Sequence, residues 1–455
     1  MKLDALVAEI GSTTTVVTAF DGIHGQNPHY VAQGIAPTSV SLGDVTIGLN
    51  LAIADLEKVL KTKLTFTETF AASSAAGGLK MSVHGLVYDM TVKAAKEAAL
   101  GAGANLKMIT AGMLDEDQLA TIKNANLNII LIAGGVDFGD TKTALQNARM
   151  IANLNLKVPV IYAGNMENQD KIKSIFQESG LDRYLFIAPN VYPKIDLLQV
   201  DRTREIIQNV FEEHIIKAPG MEKVREVISQ KIIPTPGAVL KAAVLLYEDI
   251  GDLLAFDVGG ATTDVHSVTP GSERLAKIML APEPLSKRTV EGDLGVYINK
   301  DNLVNLITMK NLVRDLKLSE EEVNGLLQNY PPIPTSAHID LVKRMTTEAL
   351  KVSLERHVGH YISLYGPSGK MTFAEGKDLT NVKYIISTGG ALTKLPGQEQ
   401  IVVDALETIN KTMLIPAKDT KILIDHDYCM ASCGVLASKY PEAALRILKN
   451  SLRIG

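Results

Sequence analysis

The chain has 455 residues, of which 46% are hydrophobic and 21% charged, with a net charge of −5 and no Trp. That length accommodates about three or four ordinary domains and a sizeable core. A mildly acidic chain without basic runs and with few aromatic platforms is a poor candidate for nucleic-acid binding, which draws on Lys and Arg at phosphates and on rings for stacking.

At the N-terminus, Asp4 and Glu9 interrupt the apolar run, so it does not read as a signal peptide. No apolar stretch is long enough to span a bilayer, and a cytoplasmic protein is expected. Residues 3–36 read as three strands, with turns at Gly11 and around Asp21-Gly22. A helix is predicted over 45–61 from the spacing of Leu49, Ile53, Leu56 and Leu60, and a strand over Thr65–Ser73.

From Leu106 the rhythm changes to alternating apolar strands and polar helices. Strands are predicted at 106–111, 128–135, 158–165 and 184–190, and helices at 115–124, 141–153, 169–179 and 201–216. This pattern predicts a doubly wound parallel sheet. Gly134-Gly135 and Gly164-Asn165 follow strands but do not match a dinucleotide fingerprint, so no cofactor is assigned there. Asp137 and Asp140 read as the acidic start of a helix, with Asp140 as its cap.

A Pro/Gly junction, Ile233-Pro234-Thr235-Pro236-Gly237, precedes an apolar helix over Val239–Tyr247. Residues 301–365 are predicted to be largely helical, broken by a loop at residues 331–334. His357 and His360 are spaced as two metal ligands on one helical face, but no third ligand is evident, and a solvated helix surface is preferred. Arg344, Glu348, Lys351 and Glu355 read either as i,i+4 surface pairs or as the wall of an adenine pocket. A strand over 382–391 ends in Gly389-Gly390-Ala391, and a small-residue helix follows over 428–439. It carries the only cysteines, Cys429 and Cys433, which are too few for a zinc site and are expected to pack as small apolar residues.

Two segments carry the chemistry. Leu6-Val7-Ala8-Glu9-Ile10-Gly11-Ser12-Thr13-Thr14 and Leu254-Ala255-Phe256-Asp257-Val258-Gly259-Gly260-Ala261-Thr262-Thr263-Asp264 are both apolar strands that run into a carboxylate, glycine and hydroxyls. A carboxylate at a strand end can hold Mg²⁺ directly or through water. Glycine lets backbone amides approach phosphate oxygens, and the hydroxyls add donors. The β-branched run after Ser12 favours a second strand, so this turn is not a P-loop opening a helix.

With these motifs the chain resembles the acetate/sugar kinase, Hsp70 and actin superfamily. Gly11-Ser12-Thr13 resembles its first phosphate motif, Asp257 to Asp264 its second, and Ser387-Thr388-Gly389-Gly390-Ala391 its adenosine motif. Glu291-Gly292-Asp293-Leu294-Gly295 resembles the turn opening the small helical subdomain, and Ala431 to Ala437, with Gly434, the second connecting helix. Within the superfamily the chain is most similar to the MutL-type proteins associated with adenosylcobalamin-dependent glutamate mutase, which are distinct from mismatch-repair MutL.

The resemblance implies an α/β fold: a two-lobed actin/Hsp70-like ATPase with ribonuclease H-like halves and an inserted doubly wound parallel domain. It divides the chain into a first lobe beginning at 1–102, an insert at 103–218, a junction helix and second lobe at 219–300, a helical subdomain at 301–378 and the end of the second lobe at 379–455. It implies ATP or ADP with Mg²⁺ between the two halves, with Glu9, Asp257 and Asp264 at the metal and in catalysis. Gly11, Ser12, Thr13, Thr14, Gly259, Gly260, Ala261, Thr262, Gly292, Gly389, Gly390 and Ala391 would bind the nucleotide.

Two departures stand out. Glu9 replaces the usual aspartate, and Thr235 stands where Hsp70-like chains place a water-positioning glutamate, which predicts slow hydrolysis. The implied activity is a chaperone or reactivase ATPase whose partners are mutase subunits, with neither nucleic acid nor membrane involved. A small-molecule kinase using Asp257 as base and an actin-like filament are the rival readings.

Overall fold

The architecture is taken from a computed structural model. It describes residues 1–455 except 12–13, 75–78, 216–219, 332, 367–368 and 411. The chain forms two compact units: Met1–Lys241 with Ala431–Ala444, and Ala242–Met430 with Leu445–Gly455.

In the first unit, β1 (Lys2–Ile10), β2 (Thr14–Asp21) and β3 (His29–Pro37) form an antiparallel meander, and β4 (Thr65–Ser73) lies parallel to β1. β5 (Leu79–Gly85), β6 (Ala104–Ala111), β7 (Ile129–Ile132), β8 (Val160–Tyr162) and β9 (Leu185–Ile187) form a separate sheet. β10 (Ile232–Pro234) then returns to pair in parallel with β4. The first sheet is thus ordered β10-β4-β1-β2-β3. The helix Val45–Leu60 buries Val45, Leu49, Ala52 and Leu56 against it, capped by Asp44, whose side chain accepts from the Thr46 amide.

The five-stranded sheet is wholly parallel and ordered β6-β5-β7-β8-β9. This is the doubly wound topology whose order reverses between its first and third strands. β7 is buried at all four positions, as a central parallel strand must be. β5, which lies between β6 and β7 in this sheet, is upstream of residue 103, so the parallel sheet takes its first strand from Leu79 onward, ahead of the boundary read from sequence.

The second unit repeats the first sheet's plan. β11 (Leu253–Val258), β12 (Thr263–Val268) and β13 (Ser286–Glu291) form a meander. β14 (His360–Gly366) and β15 (Gly369–Glu375) make a separate hairpin, and β16 (Tyr384–Thr388) and β17 (Lys421–Ile424) add in parallel beside β11. The order is β13-β12-β11-β16-β17. Both sheets therefore read third, second, first, fourth, fifth strand, the arrangement of ribonuclease H-like halves in an actin-like ATPase. The long helix Ile339–His357 packs Leu341, Met345, Leu350 and Leu354 into this unit's core.

Two further expectations are corrected. The helix after the Pro/Gly junction starts at Thr235 rather than Val239, because proline is tolerated in a first turn whose amides have no intrahelical partner. The helix ends at His357, and β14, which takes up the stretch expected to remain helical to 365, pairs antiparallel with β15. Gly434 explains the small-residue helix Met430–Leu436: a Cβ there would lie 1.9 Å from the carbonyl oxygen of Ala238, so that helix and Thr235–Ile250 cross backbone to backbone. Cys429 and Cys433 on this stretch are both buried. No helix among the described residues is long and apolar enough to cross a membrane.

Candidate functional site

The two carboxylate-glycine segments fold into the same hairpin. In the first, Ile10 pairs with Thr15 and the Gly11 amide donates to the Thr14 carbonyl at 3.0 Å. In the second, Val258 pairs with Thr263 and the Gly259 amide donates to the Thr262 carbonyl at 2.9 Å. Each carboxylate, Glu9 or Asp257, precedes its glycine by two residues on the central strand. A Cβ at Gly11 would meet the Thr14 carbonyl oxygen at 2.6 Å, which is why glycine opens that turn. Ser12 and Thr13 lie outside the described residues.

The second turn is held from one side only. Its carbonyls point toward the segment that follows β13. Val296 donates to Gly259 O, Tyr297 and Ile298 donate to Gly260 O, and the Asn299 amide side chain donates to Ala261 O at 2.8 Å. The same Asn299 side chain reaches Gly292 O at 2.9 Å, which places Gly292 beside the turn. The amides of Gly260, Ala261 and Thr262 donate to no group among the described residues. With its carbonyls fastened to the following segment, the turn keeps three backbone amides able to donate to an anion.

Asp257 and Gly389 are in contact. Gly389 has φ of +87°, and a Cβ on it would lie 2.5 Å from the Val258 amide nitrogen and 2.6 Å from an Asp257 carboxylate oxygen. Only glycine fits there, so the structure brings the second phosphate motif and the start of the adenosine motif together. Gly390 is open on its Cβ side, and Ala391 is buried in the short helix Gly390–Lys394. The strand leading to this glycine is anchored by Thr388, whose hydroxyl donates to Asp425 at 2.8 Å. Asp425 also accepts from the amides of Cys429 and Met430 and from the Ser451 hydroxyl, so one fully buried carboxylate fixes three segments.

Asp264 has different company from that expected of a metal ligand. Its Oδ1 accepts from both Nε (2.9 Å) and Nη2 (2.5 Å) of Arg288, and its Oδ2 from the Thr262 hydroxyl at 3.1 Å. Both charged side chains are nearly buried, at 2% and 6% exposure. A buried ion pair of this kind is self-neutralising, and breaking it leaves an uncompensated charge. Arg288 was missed in the sequence because it meets Asp264 only through the register that sets Arg288 beside His266, two residues on.

Glu9 is buried and accepts a short hydrogen bond from the Ser432 hydroxyl, which also lies 3.1 Å from the Thr18 hydroxyl. Thr235, at the end of β10, stands at the same sheet edge: β10 pairs with β4 through Pro234 and Ser73, and Ser73 pairs with Ile10. Its hydroxyl is buried without a partner.

Around the second turn, Arg356 binds Asp293 through two hydrogen bonds of 2.7 and 3.0 Å and Glu291 at 2.6 Å. Its guanidinium holds the Asp293 carboxyl below its usual range, whereas burial pushes Glu291 up despite the same partner. His357 is buried, bonded to Thr289 and Ser267, and not solvated as the sequence suggested; His360 is exposed at the start of β14. Burial holds both His357 and the neighbouring His266 well below the ordinary histidine range.

Arg344 and Glu348 do pair at i,i+4, at 3.0 Å, and with Lys351 they line a cavity of about 760 Å³. Asp315, Lys343 and Gly397 contribute to the same wall; Glu355 does not.

The model of the MutL protein family matches residues 5–452 of this chain. A protein MutL of Clostridium tetanomorphum is 37% identical over 463 residues, covering 98% of each chain. Among solved structures, nucleotide-free acetone carboxylase aligns over 96% of this chain and 70% of its own, at 12% identity and a TM-score of 0.41. A diol dehydratase-reactivating factor aligns over 96% and 100%, at 11% identity and a TM-score of 0.34.

Proposed function

Because this chain belongs to the MutL protein family, we propose that it is a Mg²⁺-ATP-dependent ATPase that reactivates or remodels an adenosylcobalamin-dependent mutase of the glutamate mutase type. The observation that carries the nucleotide reading is the Gly259–Thr262 turn, with its three amides able to donate to an anion and with Asp257 against Gly389. Phosphate oxygens would sit on the amides of Gly260, Ala261 and Thr262. Asp257 in the second unit, and Glu9 in the first, are each candidates to hold Mg²⁺ through its waters, as this ion prefers few direct protein ligands. When bound, the ion would neutralise phosphate charge. Asp264, paired with Arg288 and bonded to the Thr262 hydroxyl, would brace the turn beneath the phosphates. The cavity beside Arg344 and Lys351 supports a nucleoside site on that same unit.

Thr235 supplies no carboxylate to orient water, which favours a slow basal ATPase waiting on its partner. The mutase as partner rests on the resemblance to glutamate mutase-associated proteins. The test is to supply purified chain, Mg²⁺-ATP and fresh adenosylcobalamin to inactivated glutamate mutase. Recovery of mutase activity with wild-type chain, and its loss with Asp257→Asn, supports the reading; no recovery with wild-type chain refutes it.

A further inference from the structure

The five-stranded parallel body, residues 79–200, carries its exposed apolar side chains on one edge. Among the described residues these are Val87, Tyr88, Met113, Phe138, Met166, Ile195 and Leu197. Val87 and Tyr88 follow β5, Met113 follows β6, Phe138 follows β7, Met166 follows β8, and Ile195 and Leu197 follow β9. In a parallel sheet all of these loops leave the same edge. The helix-to-strand loops on the opposite edge carry none of the large exposed apolar residues.

Phe138 is the extreme case. It is 75% exposed and has φ of +65°. It occupies the third position of a β-turn closed by the Gly139 amide on the Val136 carbonyl, where glycine or asparagine is usual. A phenylalanine there is both strained and wet, and each condition alone disfavours it.

The surroundings enforce the conformation. The Asn165 side chain accepts from the Phe138 amide at 3.2 Å and from the Glu167 amide at 3.0 Å. Asp137 accepts from the Met166 amide and from the Asn190 side chain, both at 2.9 Å, and Asn190 also donates to Gly135 O. Three polar side chains therefore stitch the loops after β7, β8 and β9 into one platform that holds the ring out. A ring fixed on a rigid support loses little freedom when it is buried by a partner. A ring projecting from a turn needs a pocket on the other molecule, whereas a small ligand needs a concave site on this one.

The same loops are acidic. Asp89, Asp115, Glu167 and Asp196 are exposed carboxylates, against the exposed Lys142 and Lys194. We infer that this edge is the docking surface for the client mutase, with Phe138 entering an apolar pocket ringed by lysines or arginines. The inference rests on the mutase being the client and adds where it is gripped.

The test immobilises purified glutamate mutase with adenosylcobalamin bound and measures binding of the full chain with and without Mg²⁺-ATP. Phe138→Gly is expected to weaken binding at least tenfold. Asp89→Lys with Glu167→Lys is expected to slow association and flatten its salt dependence. Leu42→Ser, which removes an equally exposed apolar residue elsewhere (74%), is expected to bind as wild type. Phe138→Gly suits the positive φ, so its melting temperature should equal or exceed that of wild type, and Phe138→Asn provides a second variant compatible with the backbone. If wild type binds and both Phe138 variants bind equally well, the docking surface is overturned while the client reading stands. If wild type does not bind the mutase, both fall.

Discussion

The turn at Gly11 and the turn at Gly259 share a hairpin and differ in what their carboxylates face. Glu9 sits opposite Val16 and accepts from the Ser432 hydroxyl, which also lies beside the Thr18 hydroxyl. Asp257 sits opposite Asp264, and that second carboxylate is locked to Arg288. One turn thus has a buried carboxylate bonded to a serine hydroxyl, and the other has two carboxylates facing each other, one of them held by a guanidinium. The backbone was duplicated faithfully and the charge balance was not. An equal motif in sequence is consequently no guarantee of equal surroundings: Glu9 is bonded to Ser432, whereas Asp264, opposite Asp257, is held by Arg288 and Thr262.

Removing Arg288 breaks the comparison most severely. Arg288→Met leaves Asp264 charged and buried, and unfolding in urea is expected to show a loss of about 3–5 kcal/mol, with Asp264→Leu added to Arg288→Met restoring much of it. The corresponding change at the first turn, Ser432→Ala, deletes one hydrogen bond and should cost nearer ~1–2 kcal/mol.

Hydrolysis comes next. Wild-type turnover without a partner should be slow, and Thr235→Glu should raise it, since general-base help is worth roughly 10²–10⁴-fold. A fast wild-type enzyme measured by phosphate release would contradict the reading of Thr235.

Metal-dependent affinity is a smaller effect. Glu9→Gln and Asp257→Asn should each weaken ATP binding about tenfold in Mg²⁺, equivalent to about 1.4 kcal/mol, and much less in its absence. Asp264→Asn should lose stability more than it loses Mg²⁺ dependence. Calorimetry that found Asp264→Asn the most Mg²⁺-sensitive of the three would reverse the assignment.

Acid should separate the turns most gently. His266 on β12 and His357 beside it are buried and held well below the ordinary value of 6.5. The unfolded chain therefore binds protons first, and their contribution, full above pH 6.5, declines as the pH falls below it. Hydrogen exchange at pH 5 should show β12 losing protection relative to pH 7, while β1 and β2, which contain no histidine, hold theirs. His84 in the parallel sheet, depressed to about 4 by burial, should make β5 follow β12.

Much of this was legible from residue type. The strand over Thr65–Ser73 matches its predicted limits, and the three N-terminal strands and β11 were readable from β-branched and alternating residues. The strand-helix alternation after residue 106 likewise announced the parallel sheet. β5 was not legible: Leu-Lys-Met-Ser-Val-His-Gly lacks a branched run, and its polar members are buried because His84 bonds Ser82 and Thr110 within the sheet. In the site, the hairpins and Gly389 could be read, because glycine marks positions where backbone must approach backbone. Arg288 and Asp425 could not. Each acts on a residue at least 24 positions away, and only strand register reveals the meeting. The helix through Pro236 and Gly237 escaped for a related reason, since a breaker signal inside a sequence becomes harmless at a helix's first turn.

The position of β10 has a consequence for synthesis on the ribosome. β4 presents its outer edge until Ile232–Pro234 arrives, so Ser73 waits for a partner made 161 residues later. At about 5–20 residues per second, that edge stays unpaired for roughly 8–32 s. The parallel body between them is contiguous in the chain and can complete its own sheet during the interval. The nascent protein therefore carries a finished domain on an unfinished one. The open β4 edge is where a chaperone would be needed and where truncated chains ending before residue 232 should aggregate.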